Sequence, residues 1–291
     1  MVMSLRIKSL HIYPIKSCAG IDLPASPVGR SGLRHDRSWM VVTPNNVFTS
    51  QRTWPAMALI KTAIGEGVLR VDAPGMATLE VPLEAPATEA APLSVRVWRD
   101  TVLAQPESGQ AAAWFSQFLG QPCKLVRLHP RAERAAAADW VADWIAKNPD
   151  HVAGFERDHL FGFADGFPLL IANQASLDDL NAKLLAQGAA AVPMDRFRPN
   201  IVIEGMEAYE EDFTALVESG GVRMALVKPC TRCGIPNIDQ ADASVHDEPG
   251  ITLMRYRSFD EGVVFGRNAI VHAPAGAELR VGAQASAELA F

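Results

Sequence analysis

The chain has 291 residues, 48% of them apolar and 21% charged, and a formal net charge of −6. That length allows one large or two ordinary domains with sizeable cores, and the acidic balance argues against a general nucleic-acid binder, which carries a basic excess or stripe. Arg6, Lys8 and Lys16 interrupt the opening residues, so neither a secretory leader nor a membrane span of about 18 apolar residues is expected; four cysteines make no disulfide framework, which points to a reducing cytoplasm.

Leu5 to Tyr13 alternates apolar and polar residues, with Leu5, Ile7, Ser9, His11 and Tyr13 on one face, and reads as a strand. It runs into a turn, Pro14-Ile15-Lys16-Ser17-Cys18-Ala19-Gly20, where Lys16 and Ser17 offer a charge and a hydroxyl to an anion, or simply to water. Gly29 to Arg37 is glycine-rich and basic. A strand over 38–43, a hairpin turn at Pro44-Asn45-Asn46 and a return from Val47 follow. Short strands are predicted over 58–63, 68–71, 78–81, 93–98 and 101–104, and such spacing with Gly and Pro between implies a twisted sheet or barrel.

A helix over 109–119 has Ser108 as its N-cap and Trp114, Phe115 and Phe118 on its apolar face. A strand over 124–128 precedes a second helix over 132–147, in which Trp140, Val141, Trp144 and Ile145 fall at helical spacing. Residues 148–165 lack periodicity and read as a long loop beside a functional cleft. A buried strand over 169–172 leads to a helix capped by Ser176 and ending near Gln187, and 189–192 reads as a flexible connection. Arg196, Arg198 and Asn200 then stand at the mouth of a strand, where forked guanidiniums suit a phosphate or planar heterocycle as well as surface ion pairs. Further strands are predicted over 222–227, 253–257, 263–271 and 278–281, giving an α+β, mostly β, architecture.

The chemically richest stretch is Lys228-Pro229-Cys230-Thr231-Arg232-Cys233-Gly234-Ile235-Pro236-Asn237-Ile238-Asp239, placed on a loop leaving a strand. A thiolate beside Arg232 and Lys228 is favoured as the anion, the form that binds metals and attacks electrophiles, and the flanking prolines fix the loop. The cysteine pair alone is a weak signal. A zinc site needs four ligands, yet Cys18 and Cys123 are isolated and no closely spaced histidine pair follows. Two small buried hydrophobes are the other reading of the pair.

Four stretches in order, YPIKSCAG, GLRHDRSWMVV, RFRPNIVIEG and KPCTRCGIPNID, together resemble the MOSC family with its N-terminal β-barrel domain; FTSQRTWPAMALI, DGFPLLI and FGRNAIV fit as well. The resemblance covers nearly the whole chain. It implies an N-terminal β-barrel-like domain over 1–128, a MOSC β-barrel domain with flanking helices over 129–291, and a molybdenum–molybdopterin cofactor between them. It assigns Cys233 as the metal's thiolate ligand, Arg232 as its catalytic neighbour, and Lys16, Ser17, Arg37, Arg198 and Asn200 to cofactor binding, leaving Cys230 as an accessory thiol. One departure stands out: Asp165-Gly166-Phe167-Pro168 occupies the place of Ser/Thr residues in the mitochondrial amidoxime-reducing members, so contacts from that loop fall to the backbone. The chemistry agrees, because a phosphate and a polar bicycle explain scattered cations in an acidic protein, and a soft thiolate suits a metal already held by dithiolene sulfurs.

By the same resemblance the expected activity is reduction of N-hydroxylated compounds such as hydroxylamines, amidoximes or N-hydroxylated bases. A non-catalytic cofactor or sulfur carrier is the alternative. A third reading, a protein that has lost the cofactor, is countered by the presence of Lys16, Arg37, Arg198 and Cys233. His35 and Asp239 are candidate proton donors because they adjoin motif residues, and pyridoxal phosphate is not expected. The roughly 58 residues after Cys233 hold no cysteine for an iron–sulfur cluster, and no dinucleotide fingerprint is present. Electrons are therefore expected from a separate ferredoxin-, flavodoxin- or cytochrome b5-like protein with its reductase.

Overall fold

Long strands with one apolar face bury it most economically by curling a sheet closed, and that is what the second part of the chain does. In the computed structural model, which describes residues 2–85 and 91–290, seven strands run in the order Leu169–Asn173, Ile201–Glu204, Val2–Ile12, Gln284–Leu289, Thr214–Ser219, Val222–Thr231 and Gly262–His272. The last pairs back onto the first, Leu169 opposite Ala269, closing a barrel. Leu169–Asn173 and Ile201–Glu204 are parallel, and helix α3 (Gln174–Ala186) lies in the crossover such a pair needs. Ile7, Ile171, Ile203, Val217, Met224 and Val271 fill the interior.

The first strand belongs to this barrel although it lies in the 1–128 stretch. Leu5, Ile7, Leu10 and Ile12 are its buried residues, and its pairing with Ile201–Glu204 slips between Ile7 and Ser9. That β-bulge moves the inward face by one position. The alternation expected through Ser9 and His11 therefore ends at Ile7, and those two half-buried side chains hydrogen-bond each other instead (2.7 Å).

Residues 39–128 build a separate set of sheets. Trp39–Val42, Lys124–Leu128, Asp100–Pro106 and Leu93–Val97 form one antiparallel sheet, and Lys61–Ile64, Val68–Asp72 and Leu79–Pro82 form a meander. Helix α1 (Gly109–Leu119) contributes Phe115 to one core with Trp39, Val41, Leu69 and Leu125. As expected, Ser108 caps it by accepting from the Ala111 N–H, and Gly120 closes it in the left-handed conformation.

Several elements differ from the sequence reading. Helix α2 (Ala138–Lys147) starts at Ala138 rather than Ala132, because Ala135 bridges Leu160 and the Arg134 guanidinium is tied to Asp100 and the Gly162 carbonyl. Asn173, not Ser176, caps α3; the buried Ser176 hydroxyl donates to Glu211. Residues 253–257 are not a strand: helix α4 (Gly250–Tyr256) buries Thr252 and Leu253 and exposes Ile251 and Met254. Ala58 and Leu59 lie in a 3-10 turn before the strand at Lys61. The 189–192 connection is fastened, since Asn181 bonds both the N–H and the carbonyl of Val192. No helix among the described residues is long and apolar enough to cross a membrane.

Candidate functional site

Three turns held in left-handed backbone meet between the barrel and the Trp39 sheet. Ser17, Arg37 and Arg198 have φ of 67°, 45° and 56°, a region that costs a residue other than glycine about 1 kcal/mol or more and persists only where its surroundings impose it. The surroundings are visible. Gln51 donates to the Ser17 carbonyl (2.9 Å), the Arg37 N–H donates to the Tyr13 carbonyl (3.0 Å), and the Phe163 N–H donates to the Arg37 carbonyl (2.8 Å). Gly162 passes so close that an added Cβ would stand 2.6 Å from the Arg37 oxygen. Buried Tyr13 joins the turns: its N–H donates to Asp36, its hydroxyl to the Pro199 carbonyl, and both Arg37 and Arg198 stack on its ring at 4.3 and 4.2 Å. Burial, more than these two arginines can offset, raises its phenol well above the ordinary value.

The turns line a cleft of about 390 Å³. Six cationic side chains face it, Lys16, Arg37, Arg52, Arg198, Lys228 and Arg232, against one carboxylate, Asp165. Lys16 is buried; its ammonium donates to the Phe163 carbonyl (2.8 Å) and to Asp165 (2.5 Å), and the Trp98 indole N–H donates to the same carboxylate oxygen (2.9 Å). Burial lowers Lys16 below its ordinary value, with Asp165 opposing. Burial pushes Asp165 the other way, yet Lys16, Trp98 and Arg37 together hold its carboxyl below the usual range. Since 67% of the Asp165 side chain still meets solvent, this is a screened pair and not a dry one. Arg198 is also buried; burial first, then Arg37, lower it while Tyr13 opposes. Among the described residues its guanidinium donates to no protein acceptor, and the Ser17 hydroxyl likewise has none.

The Val222–Thr231 strand continues through Cys230, so the pair is split between a strand end and the turn after it. Pairing with Gly262–His272 slips between Leu226 and Lys228 and again between Pro229 and Thr231, where proline offers no N–H, and Lys228 and Cys230 both line the cleft. Arg232 donates to the Cys230 sulfur (2.9 Å) and to the Phe197 carbonyl (2.8 Å), and its buried Nε–H has no partner among the described residues. Cys233 is exposed at the cleft wall. Its loop is clamped by Arg196, which bonds the Pro236 carbonyl and Asp239, and by the reciprocal amide pair of Gln51 and Gln240 (3.0 and 3.1 Å), which ties it to the Ser17 turn.

Lys16, Ser17, Arg37, Arg198, Asn200, Arg232 and Cys233, scattered over more than 200 positions, thus line one cleft. Asn200 does so with its amide committed, accepting from the Leu170 N–H and donating to the His11 carbonyl, so it shapes the Arg198 turn. Neither proton-donor candidate lines the cleft. His35 lines a separate cavity of about 310 Å³, and Asp239 is paired with Arg196. Sequence reasoning passed over Tyr13, Arg52 and Trp98. Tyr13 adjoined a quoted motif, Arg52 lay inside another, and the turn signal at Trp98 was hidden by an aromatic that suits strands.

A mostly β protein whose barrel meets a second set of sheets over a cation-lined, thiol-bearing cleft is the class that fold and site define. The model of the MOSC N-terminal beta barrel domain matches residues 4–122 and that of the MOSC domain matches residues 158–286, and the chain belongs to the MOSC family. Mitochondrial amidoxime-reducing component 1 of Mus musculus is 32% identical over 270 residues, spanning 90% of this chain and 74% of that protein. Molybdenum cofactor sulfurase of Homo sapiens is 31% identical over 236 residues, 80% of this chain but 26% of its own length. The chain therefore spans about a quarter of the sulfurase and about three-quarters of the amidoxime-reducing component.

Proposed function

We propose that this protein holds a molybdenum–molybdopterin cofactor in the cleft and reduces N-hydroxylated compounds there. The observation that carries the reading is six cations against one carboxylate around an exposed thiol. The donor set fits such a group: a soft sulfur for a thiophilic metal, and uncommitted N–H and O–H donors at Arg198 and Ser17, with the buried Nε–H of Arg232, for a phosphate and a polar ring. When bound, the cofactor would supply the two-electron redox chemistry that reduction of an N–OH group requires.

The chain's own residues divide the remaining work. Cys233 is the protein's sulfur ligand by the likeness to the family, and its side chain is exposed at the cleft wall while the Cys230 sulfur accepts from Arg232. Lys16, Ser17, Arg37 and Arg198 bind and orient the anionic ligand, Lys16 exchanging Asp165 for it. Each N–OH reduced consumes two electrons and two protons and yields N–H and water. Protons enter from solvent at the open mouth of the cleft, where the Asp165 side chain is exposed. Electrons are supplied by a separate redox protein.

Elemental analysis after expression in a host that makes the cofactor, followed by assay of benzamidoxime with reduced viologen, tests the reading. Stoichiometric molybdenum and turnover are expected, and no oxidation of NADH or NADPH by the loaded protein alone. The likeness to the sulfurase supports one other reading, a cofactor or sulfur carrier. A loaded protein that reduces no N-hydroxylated compound yet delivers its cofactor to an acceptor apoenzyme would establish it.

A further inference from the structure

At the rim of the cleft, Trp98 and Arg99 form the two-residue turn between Val97 and its partner Asp100. Trp98 has φ of 57°. Such turns take glycine, asparagine or aspartate at positions with positive φ, and a bulky aromatic there is an outlier, so the indole is not there for the turn. Trp98 is 42% exposed, and its orientation is fixed twice, by the N–H bond to Asp165 (2.9 Å) and by the Phe48 ring at 4.9 Å.

Arg52 lays its guanidinium on this indole, 4.2 Å from the ring centroid. Its one polar partner among the described residues is the Ser50 hydroxyl, at a long 3.4 Å. A guanidinium stacked this way is already oriented. Its in-plane N–H groups are available to a carboxylate and its outer face to a flat ring, with little further entropy to lose. The cations assigned to the cofactor, Lys16, Arg37 and Arg198, are buried or half-buried, whereas Arg52 is exposed at the wall.

We propose that Arg52, held flat by Trp98, selects the substrate, favouring N-hydroxylated compounds with a planar ring and an anionic group. The inference rests on the reductase reading.

The test compares para-carboxybenzamidoxime with benzamidoxime on the molybdenum-loaded protein, by KM with reduced viologen as donor and by calorimetric Kd on the same preparation. The expected result is a preference of roughly tenfold for the carboxylated compound in both measurements, the size of one charge-assisted contact. Arg52→Ala reduces the preference to within about twofold and Arg52→Lys restores part of it. Trp98→Ala lowers it to an intermediate value by freeing Arg52 to rotate. Absence of a preference in the wild type, or a preference that survives Arg52→Ala, overturns the proposal. Preferential binding without reduction of either compound overturns the reductase reading and leaves the Arg52 contact standing; turnover of both with equal Kd does the reverse.

Discussion

Arg198→Ala separates a residue that builds the fold from one that waits for a ligand. The guanidinium is buried, donates to no protein acceptor among the described residues and gains only its stack on Tyr13. Cation–π contact contributes about 0.5–2 kcal/mol, while burial of an unpaired charge works against the fold. The two oppose, so the cofactor-free variant should unfold within about 1 kcal/mol of wild type. Cofactor retention should respond differently. One charge-assisted bond is worth about 1.5–3 kcal/mol, and about 1.4 kcal/mol is tenfold, so occupancy at limiting cofactor should fall roughly ten- to a hundredfold. Urea unfolding of the cofactor-free protein and molybdenum per chain measure the two terms. A loss of about 3 kcal/mol in stability with molybdenum content unchanged would refute the reasoning and make Arg198 a structural residue.

Asn200→Ala should show the opposite balance, a loss of about 2 kcal/mol or more in urea, because the Leu170 N–H and His11 carbonyl are left unmatched. Cys233→Ala should remove the protein-sulfur signal from the X-ray absorption spectrum of the loaded protein and abolish turnover, whereas Cys230→Ala keeps that signal; the reverse pattern would exchange their roles. Gly162→Ala forces a Cβ against the Arg37 carbonyl and should cost about 1–3 kcal/mol together with some molybdenum. Asp165 has a depressed carboxyl in the folded state, so its contribution to stability is complete above the ordinary carboxylate value of about 4 and is lost as pH falls below it. The stability difference between wild type and Asp165→Asn should therefore be flat from about pH 5 until Lys16, itself lowered by burial, gives up its proton, and shrink in acid; a difference that grew in acid would contradict the assignment.

Much of this was legible because it is local. Ser108 and Gly120 bracket α1 in the sequence as they do in space, and the short strands of the first part announce themselves by Gly and Pro between apolar alternations. The bulge after Ile7 was not legible, since it depends on the register against Ile201–Glu204, far along the chain. Helix α4 has two turns at most, too short for Leu253 and its neighbours to show a helical period. In the site, the motif residues Lys16, Arg37 and Arg198 could be picked out by likeness, but what holds them could not. The ring of Tyr13 between two arginines and the Gln51–Gln240 pair join segments remote in sequence, and the strain in the three turns is a property of backbone that no residue name declares.

The placement of the first strand sets the order in which this protein can fold. Leu5 pairs with Ala285 on one side, and Arg6 with Glu204 on the other. This stave therefore waits for partners that follow it in the chain by roughly 200 and 280 residues, with most of both hydrogen-bonding edges and its apolar face open until they are made. Contacts between residues so far apart in sequence make for slow closure, so nascent chains should lean on chaperones and accumulate as inclusion bodies when expression outruns them. A fragment beginning after residue 128 would carry a barrel with a missing stave and two sticky edges, and co-expressed residues 1–128 should rescue its solubility by supplying that stave in trans.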